Sequence, residues 1–281
     1  MQNAPDRWAA SFRDALALLG RAIARLPFGV DEPVLVGTSA VELYTGGAWS
    51  YGELELATDA PRPLNAALMA EGFRWTDRPR HTARGLWHPA LQIAAEMAPH
   101  ASPEGVVDPM AAVTVELDAT PSPGSGSTRL RVIGIEQLIA ERAGAWVMHR
   151  GSRRELAQQV QLLAELAQAG AGGRLRVDYL CRRLAGATAG EVHLDLPHPP
   201  CQPDHDGARL VTEAAMLAAI QAWRVRKGFP PLAAPRPSTG VHRRSVAWTA
   251  SSRDESGEGE GGPAAALNVI AFDPARQPAC V

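Results

Sequence analysis

Three carboxylates and one small-residue turn are the groups in this chain whose types and spacing point to chemistry. Glu53 and Glu55 stand two apart in Gly52-Glu53-Leu54-Glu55-Leu56-Ala57-Thr58, a strictly alternating run. An extended strand places both on one face. Glu96 lies in a second extended stretch, Leu91 to Met97, with Gln92 and Ala94 on its side. Upstream, the apolar run Pro33-Val34-Leu35-Val36 leads into Gly37-Thr38-Ser39, and Ala40 to Tyr44 reads as the opening of a helix. Free backbone N–H groups at a helix start bind phosphate oxygens. Carboxylates on adjacent strands hold Mg²⁺ or Mn²⁺, which bridges such phosphates and offsets charge in group transfer. Two plainer readings stand beside this one. Glu53 and Glu55 also fit the solvated face of an amphipathic strand. Gly37-Thr38-Ser39 also fits an ordinary strand-to-helix turn capped by Ser39 or Thr38. Glu42, on the short helix, reads as a solvated residue.

The elements that must position these groups follow from periodicity. Residues 6 to 26 form an amphipathic helix on Trp8, Phe12, Ala15, Leu19, Ile23 and Leu26, stopped by Pro27 and Gly29. Gly46-Gly47 ends the short helix. Pro61 to Gly72 is a helix with Leu64, Leu68 and Met69 inward and Gly72 as its C-terminal cap. Leu86-Trp87, a His88-Pro89-Ala90 turn and Leu91 to Met97 make a hairpin. Residues 112 to 118 alternate as a strand, Thr120 to Thr128 is a Pro/Gly/Ser loop, and Arg129 to Ile133 is a short strand.

The texture then becomes helical. Ile135, Leu138, Ile139 and Trp146 form one stripe ending at Gly151. Ser152-Arg153-Arg154-Glu155 reads as a capping box opening a helix that buries Leu156, Val160, Leu163 and Ala167. Val177 to Ala185 is a third helix. A Pro/His linker, Leu196 to Asp206, precedes a helix over Arg209 to Arg226, with Leu210, Ala214, Leu217 and Ile220 on one side. Beyond Gly228 the composition is Pro, Ser, Gly and charge, which cannot build a core. The expected organisation is an α+β unit over 1–133, a helical unit over 134–190, a linker and helix over 191–227, and a mostly disordered tail over 228–281.

The order of these features resembles the nucleotidyltransferase superfamily, in its small bacterial branch. That branch has a strand, Gly-Gly or Gly-Ser, a short helix, Asp-x-Asp on the next strand and a third acidic residue later. Val36-Gly37-Thr38-Ser39-Ala40-Val41-Glu42-Leu43-Tyr44 looks like the first part, Glu53-Leu54-Glu55 stands at the acidic pair, and Glu96 at the third position. Gly72-Phe73-Arg74 to Arg80-His81, Ile135 to Arg142, Arg154-Glu155-Leu156 and Asp178-Tyr179-Leu180 continue the likeness, which covers roughly residues 30 to 185. The chain departs from the pattern in carrying Glu for both Asp residues and Thr38 for the second Gly or Ser.

The resemblance implies a nucleotidyltransferase-like mixed β-sheet with flanking helices and a helical C-terminal unit. It implies metal-dependent transfer of a nucleoside monophosphate from a nucleoside triphosphate to an acceptor, with nucleic acid a partner only as that acceptor. Glu53, Glu55 and Glu96 would be catalytic and hold Mg²⁺ or Mn²⁺. Gly37, Thr38, Ser39, Arg80 and His81 would bind the nucleotide. The alternative it permits is a catalytically degenerate fold acting as a binding or regulatory protein of toxin–antitoxin type, with a protein partner.

Composition sets the outer bounds. With 281 residues, 46% apolar and 21% charged, the chain has material for one large or two small cores. Its net charge of −2 gives no global attraction to nucleic acid or anionic membrane. Lys227 is the only lysine, so arginine clusters reflect residue usage before function. The basic cluster Arg74, Arg78, Arg80, His81 and Arg84 therefore reads first as a solvated loop, and Arg142 as an ion-pair anchor between the helical unit and the sheet. Cys181, Cys201 and Cys280 support neither a disulfide framework nor a zinc ribbon. His193, His198, Cys201 and His205 lack zinc spacing. No apolar run reaches the roughly 18 residues of a membrane span, and the expected location is cytoplasmic.

Overall fold

The computed structural model describes residues 7–75, 85–102, 105–118, 127–192, 194 and 209–233. The fold is α+β, built on one mixed eight-stranded sheet. In chain order its elements are α1 (Ala10–Ile23), β1 (Val34–Leu35), α2 (Gly37–Tyr44), β2 (Glu53–Ala57), α3 (Pro61–Ala70), β3 (Arg74–Trp75), β4 (Leu86–His88) and β5 (Ile93–Ala98). A small hairpin follows, β6 (Ala101–Ser102) with β7 (Gly105–Val106), then a single 3-10 turn over Pro109–Ala111. The remainder is β8 (Val113–Leu117), β9 (Thr128–Val132), α4 (Ile135–Met148), α5 (Arg154–Gln168), α6 (Val177–Thr188), β10 (Arg209–Thr212) and α7 (Glu213–Arg226).

Strand order in the large sheet is β10-β8-β9-β1-β2-β5-β4-β3. β1 lies at the centre, antiparallel to β2 and parallel to β9. β2 and β5 are parallel, with Glu53 opposite Ala94 and Glu55 opposite Glu96. Two residues of β1 suffice because Val34 and Leu35 are buried between neighbours on both sides. Their apolar run without alternation marks such a central strand. β2 and β8 alternate in burial, as half-buried strands do.

Several expectations are corrected. The stretch from Arg209 does not begin a helix: Arg209–Thr212 is a strand parallel to β8, and Thr212 caps α7 by accepting the Ala215 N–H. Val211 and Thr212 are β-branched, which favours extension there. The buried face of α7 is Met216, Ala219, Ile220 and Trp223, while Leu210 is exposed. The Ser152 capping box does not form. Arg153 is the N-cap of α5 without a side-chain bond, and Ser152 donates to His149 O instead. Met69 faces out rather than in. Arg142 pairs with its helix neighbour Glu141 at 2.7 Å, not with the sheet. Among the described residues of the segment beyond 227, Phe229 stacks on Trp223, Leu232 N–H donates to Gln221, and Ala233 O accepts from Arg7. The tail from residue 234 lies outside the described residues.

One core runs from α1 through the sheet to α4, α5, α6 and α7. Across it, α4 is joined to the far sheet edge by a buried ion pair. Glu136, fully buried, accepts both guanidinium nitrogens of Arg209 at 2.7 and 2.8 Å and the Arg176 N–H at 2.9 Å. The fork geometry satisfies both carboxylate oxygens, which burial of a charge requires. Tyr44 at the end of α2 donates to Ile133 O at 2.9 Å, tying α2 to the turn before α4.

Candidate functional site

α2 starts where β1 ends because Gly37 can adopt φ +58. That left-handed turn swings the chain back over β2. A side chain at this position would collide with a carboxylate: its Cβ would lie 1.3 Å from Glu55 Oε2. The N-cap of α2 is Val36, without a side-chain bond, so neither Thr38 nor Ser39 caps the helix.

Both are used differently. The Ser39 hydroxyl donates to Glu53 O at 2.9 Å and accepts the Glu55 N–H at 2.6 Å. It therefore locks the β2 backbone at the two residues whose side chains matter. Thr38 reaches those side chains. Its hydroxyl lies 2.8 Å from Glu53 Oε1 and 2.8 Å from Glu55 Oε1, and its N–H donates to Glu55 Oε2 at 2.9 Å. Glu55 thus sits on the N-terminus of α2, where the helix dipole favours a negative group.

The structure brings Gly37, Thr38, Ser39, Glu53 and Glu55 into one contact set, with Glu96 beside Glu55 on the next strand. One hydroxyl hydrogen cannot serve two carboxylate oxygens. The second contact is satisfied when Glu53 keeps a proton. Burial first, and the charges of Glu55 and Glu96 after it, push the Glu53 carboxyl above its ordinary range, against the Thr38 hydrogen bond. Glu96 is raised as well, by burial and by Glu55. The carboxylates repel one another: Glu55 and Glu96 act on Glu53, and Glu55 acts on Glu96.

Hard carboxylate oxygens from two adjacent strands are the donor chemistry that Mg²⁺ or Mn²⁺ takes. Among the described residues no three His, Cys, Asp or Glu side chains already stand arranged to enclose an ion. Both Glu55 oxygens are engaged by Thr38.

Two further features of this end of the molecule escape a reading of spacing alone. Glu42 is fully buried, not solvated. It accepts the Tyr51 N–H at 3.3 Å and a Ser50 side-chain hydrogen bond, and burial pushes its carboxyl up to about 7. Tyr51 in turn donates to Glu155 of α5, and Gln159 donates to the Tyr51 hydroxyl at 2.5 Å. Glu155, expected at a capping box, thus joins α5 to the segment that delivers Glu53. The sequence held a signal for Glu42: Ala40, Val41, Leu43 and Tyr44 make α2 apolar all round, which marks a helix buried on every side.

Arg74 lies exposed on β3. Arg78, Arg80, His81 and Arg84 lie outside the described residues, as do His193, His198, Cys201 and His205. Trp87 is partly buried on β4, opposite Ala94. Cys181 is partly buried, and burial raises its thiol. Among the described residues no helix is long and apolar enough to cross a membrane.

Neither a protein-family model nor a curated protein sequence matches this chain. Among solved structures, one similar fold is that of an antigenic nucleotidyltransferase-like protein from Paracoccidioides brasiliensis. It covers 66% of this chain and 91% of its own, at 16% identity and a TM-score of 0.43.

Proposed function

We propose that this chain is a metal-dependent nucleotidyltransferase that moves a nucleoside monophosphate from a nucleoside triphosphate to an acceptor hydroxyl. One observation carries the reading: the Glu53 and Glu55 carboxylates converge on the Thr38 hydroxyl at the start of α2, with Glu96 in register beside them. Glu53, Glu55 and Glu96 would hold Mg²⁺ or Mn²⁺, which when bound neutralises charge on the triphosphate and its leaving pyrophosphate. With Glu55 on a cation, the Thr38 N–H would be open to a phosphate oxygen, while Ser39 would hold the β2 backbone in place. Glu96 would take the acceptor's hydroxyl proton as the acceptor oxygen bonds to the α-phosphorus and the bond to pyrophosphate breaks. Arg80 and His81 are proposed to meet the triphosphate.

A second reading is favoured by one specific contact. The Thr38 N–H and both Glu55 oxygens are already satisfied by each other, a self-contained arrangement that a degenerate nucleotidyltransferase-like binding protein would keep. Isothermal titration of the full chain with ATP, CTP, GTP and UTP, each with Mg²⁺ or Mn²⁺, separates the two. The enzyme reading expects at least one nucleotide to bind only with the metal, and E53Q and E55Q each to abolish turnover by lowering kcat. Absence of binding in every combination removes it. A stable complex with a protein partner, without metal-dependent turnover, establishes the second.

A further inference from the structure

Glu42 is the buried ionisable group at this end of the molecule that the proposed chemistry leaves without a task. Its side chain is fully enclosed on α2, and its Oε1 has no hydrogen-bond partner among the described residues. Its other oxygen accepts from Tyr51 N–H, and the Ser50 side chain is bonded to the same carboxyl. Its backbone carbonyl accepts the Gly47 N–H at 2.9 Å. The segment from Thr45 to Gly52 is thus tied to this one residue near its start and near its end. Glu53 is the next residue after that segment and the first of β2.

An apolar residue would fill the same space at a smaller desolvation cost. It would, however, leave the Tyr51 N–H without this acceptor. We propose that Glu42 is a positioning residue for the carboxylate centre, acting through the Thr45–Gly52 segment to hold Glu53 against the Thr38 hydroxyl. This rests on the reading of Glu53 as a cation ligand. The charged group that acts on Glu42 is Glu53, across from β2. Glu55 and Glu96 act on Glu53 from the same side, and Arg142 of α4 and Glu155 of α5 act on Tyr51.

Titration of the full chain with Mn²⁺ alone tests the assignment in wild type, E42Q and E42A, with a thermal melt of each. E42A is expected to bind Mn²⁺ at least roughly tenfold more weakly, since the tie to Tyr51 is gone. E42Q keeps an acceptor for the Tyr51 N–H and is expected to bind within about twofold of wild type, the rescue that a positioning role requires. Wild-type affinity in a folded E42A overturns the proposal. So does an E42Q as weak as E42A, because the acceptor is then not what holds the segment. If E42A does not fold, E42M, which fills the space without an acceptor, takes its place with the same expectation. A wild-type chain that binds no Mn²⁺ overturns the cation centre and this assignment together, whereas Mn²⁺ binding that both variants leave intact overturns only the role of Glu42.

Discussion

Glu42 keeps its proton in the folded chain up to about pH 7, whereas an exposed carboxyl in the unfolded chain loses it near 4.5. Below 4.5 the group is neutral in both states and its contribution to stability is complete. Between 4.5 and 7 the unfolded chain gives up the proton and the folded chain does not, so stability falls as the pH rises through that window. The loss amounts to roughly 3 kcal/mol and is complete above the folded value. Gln at this position does not titrate. Melting of E42Q beside wild type from pH 4 to 8 should therefore show the variant gaining relative stability across 4.5 to 7 and holding that gain above it; parallel curves would refute the buried carboxyl. The residues of the site were unequally legible. Glu53, Glu55 and Glu96 follow from period two and strand order, because alternation fixes which side chains share a face. What Thr38 and Ser39 do did not follow. Their partners lie fourteen to seventeen positions away on another element, and a turn sequence alone suggests capping or phosphate.

At the scale of elements, the contact that joins α4 to β10 is the one whose removal should cost most. Glu136 is wholly buried and its charge is matched by Arg209, with the Arg176 N–H as a further donor. R209M keeps the apolar stem and leaves that carboxylate without its main partner. Breaking a buried pair from one side costs about 3–5 kcal/mol. Urea unfolding of R209M should show a loss of that order, and R209M combined with E136Q should recover part of it. A loss below about 1 kcal/mol in the single variant would mean that the pair is not buried in solution. Helix α5 and strands β2, β5, β8 and β9 were readable from apolar periodicity, including the buried Leu156, Val160, Leu163 and Ala167. β10 was not. Four residues contiguous with a helix carry too little pattern, and the partner that makes them a strand, β8, is remote in sequence. The same distance hid the role of Glu155, whose contact with Tyr51 spans 104 positions.

For the molecule as a whole, the described chain does not end usefully at Lys227. Phe229 stacks on the buried Trp223 with ring centroids 5.5 Å apart, Arg224 donates to Pro230 O, and Ala233 O meets Arg7 near the other end of the described chain. A chain ending at Lys227 should be less stable than one ending at Ala233 by about 1–2 kcal/mol, the value of a partly buried aromatic side chain. Equal thermal midpoints for the two would show that these contacts contribute nothing. Composition reads the segment past 228 as unable to build a core, because six residues folded back on a helix leave no periodic trace. The pairing of β10 with β8 also governs how the chain is made. Arg209 stands opposite Val113, so roughly a hundred residues are translated between the two partners. At ribosomal speeds of about 5–20 residues per second, β8 waits on the order of five to twenty seconds with one edge unpaired. Glu136, once made, is likewise without Arg209 for roughly seventy residues, and a nascent chain arrested before β10 offers other chains a bare sheet edge.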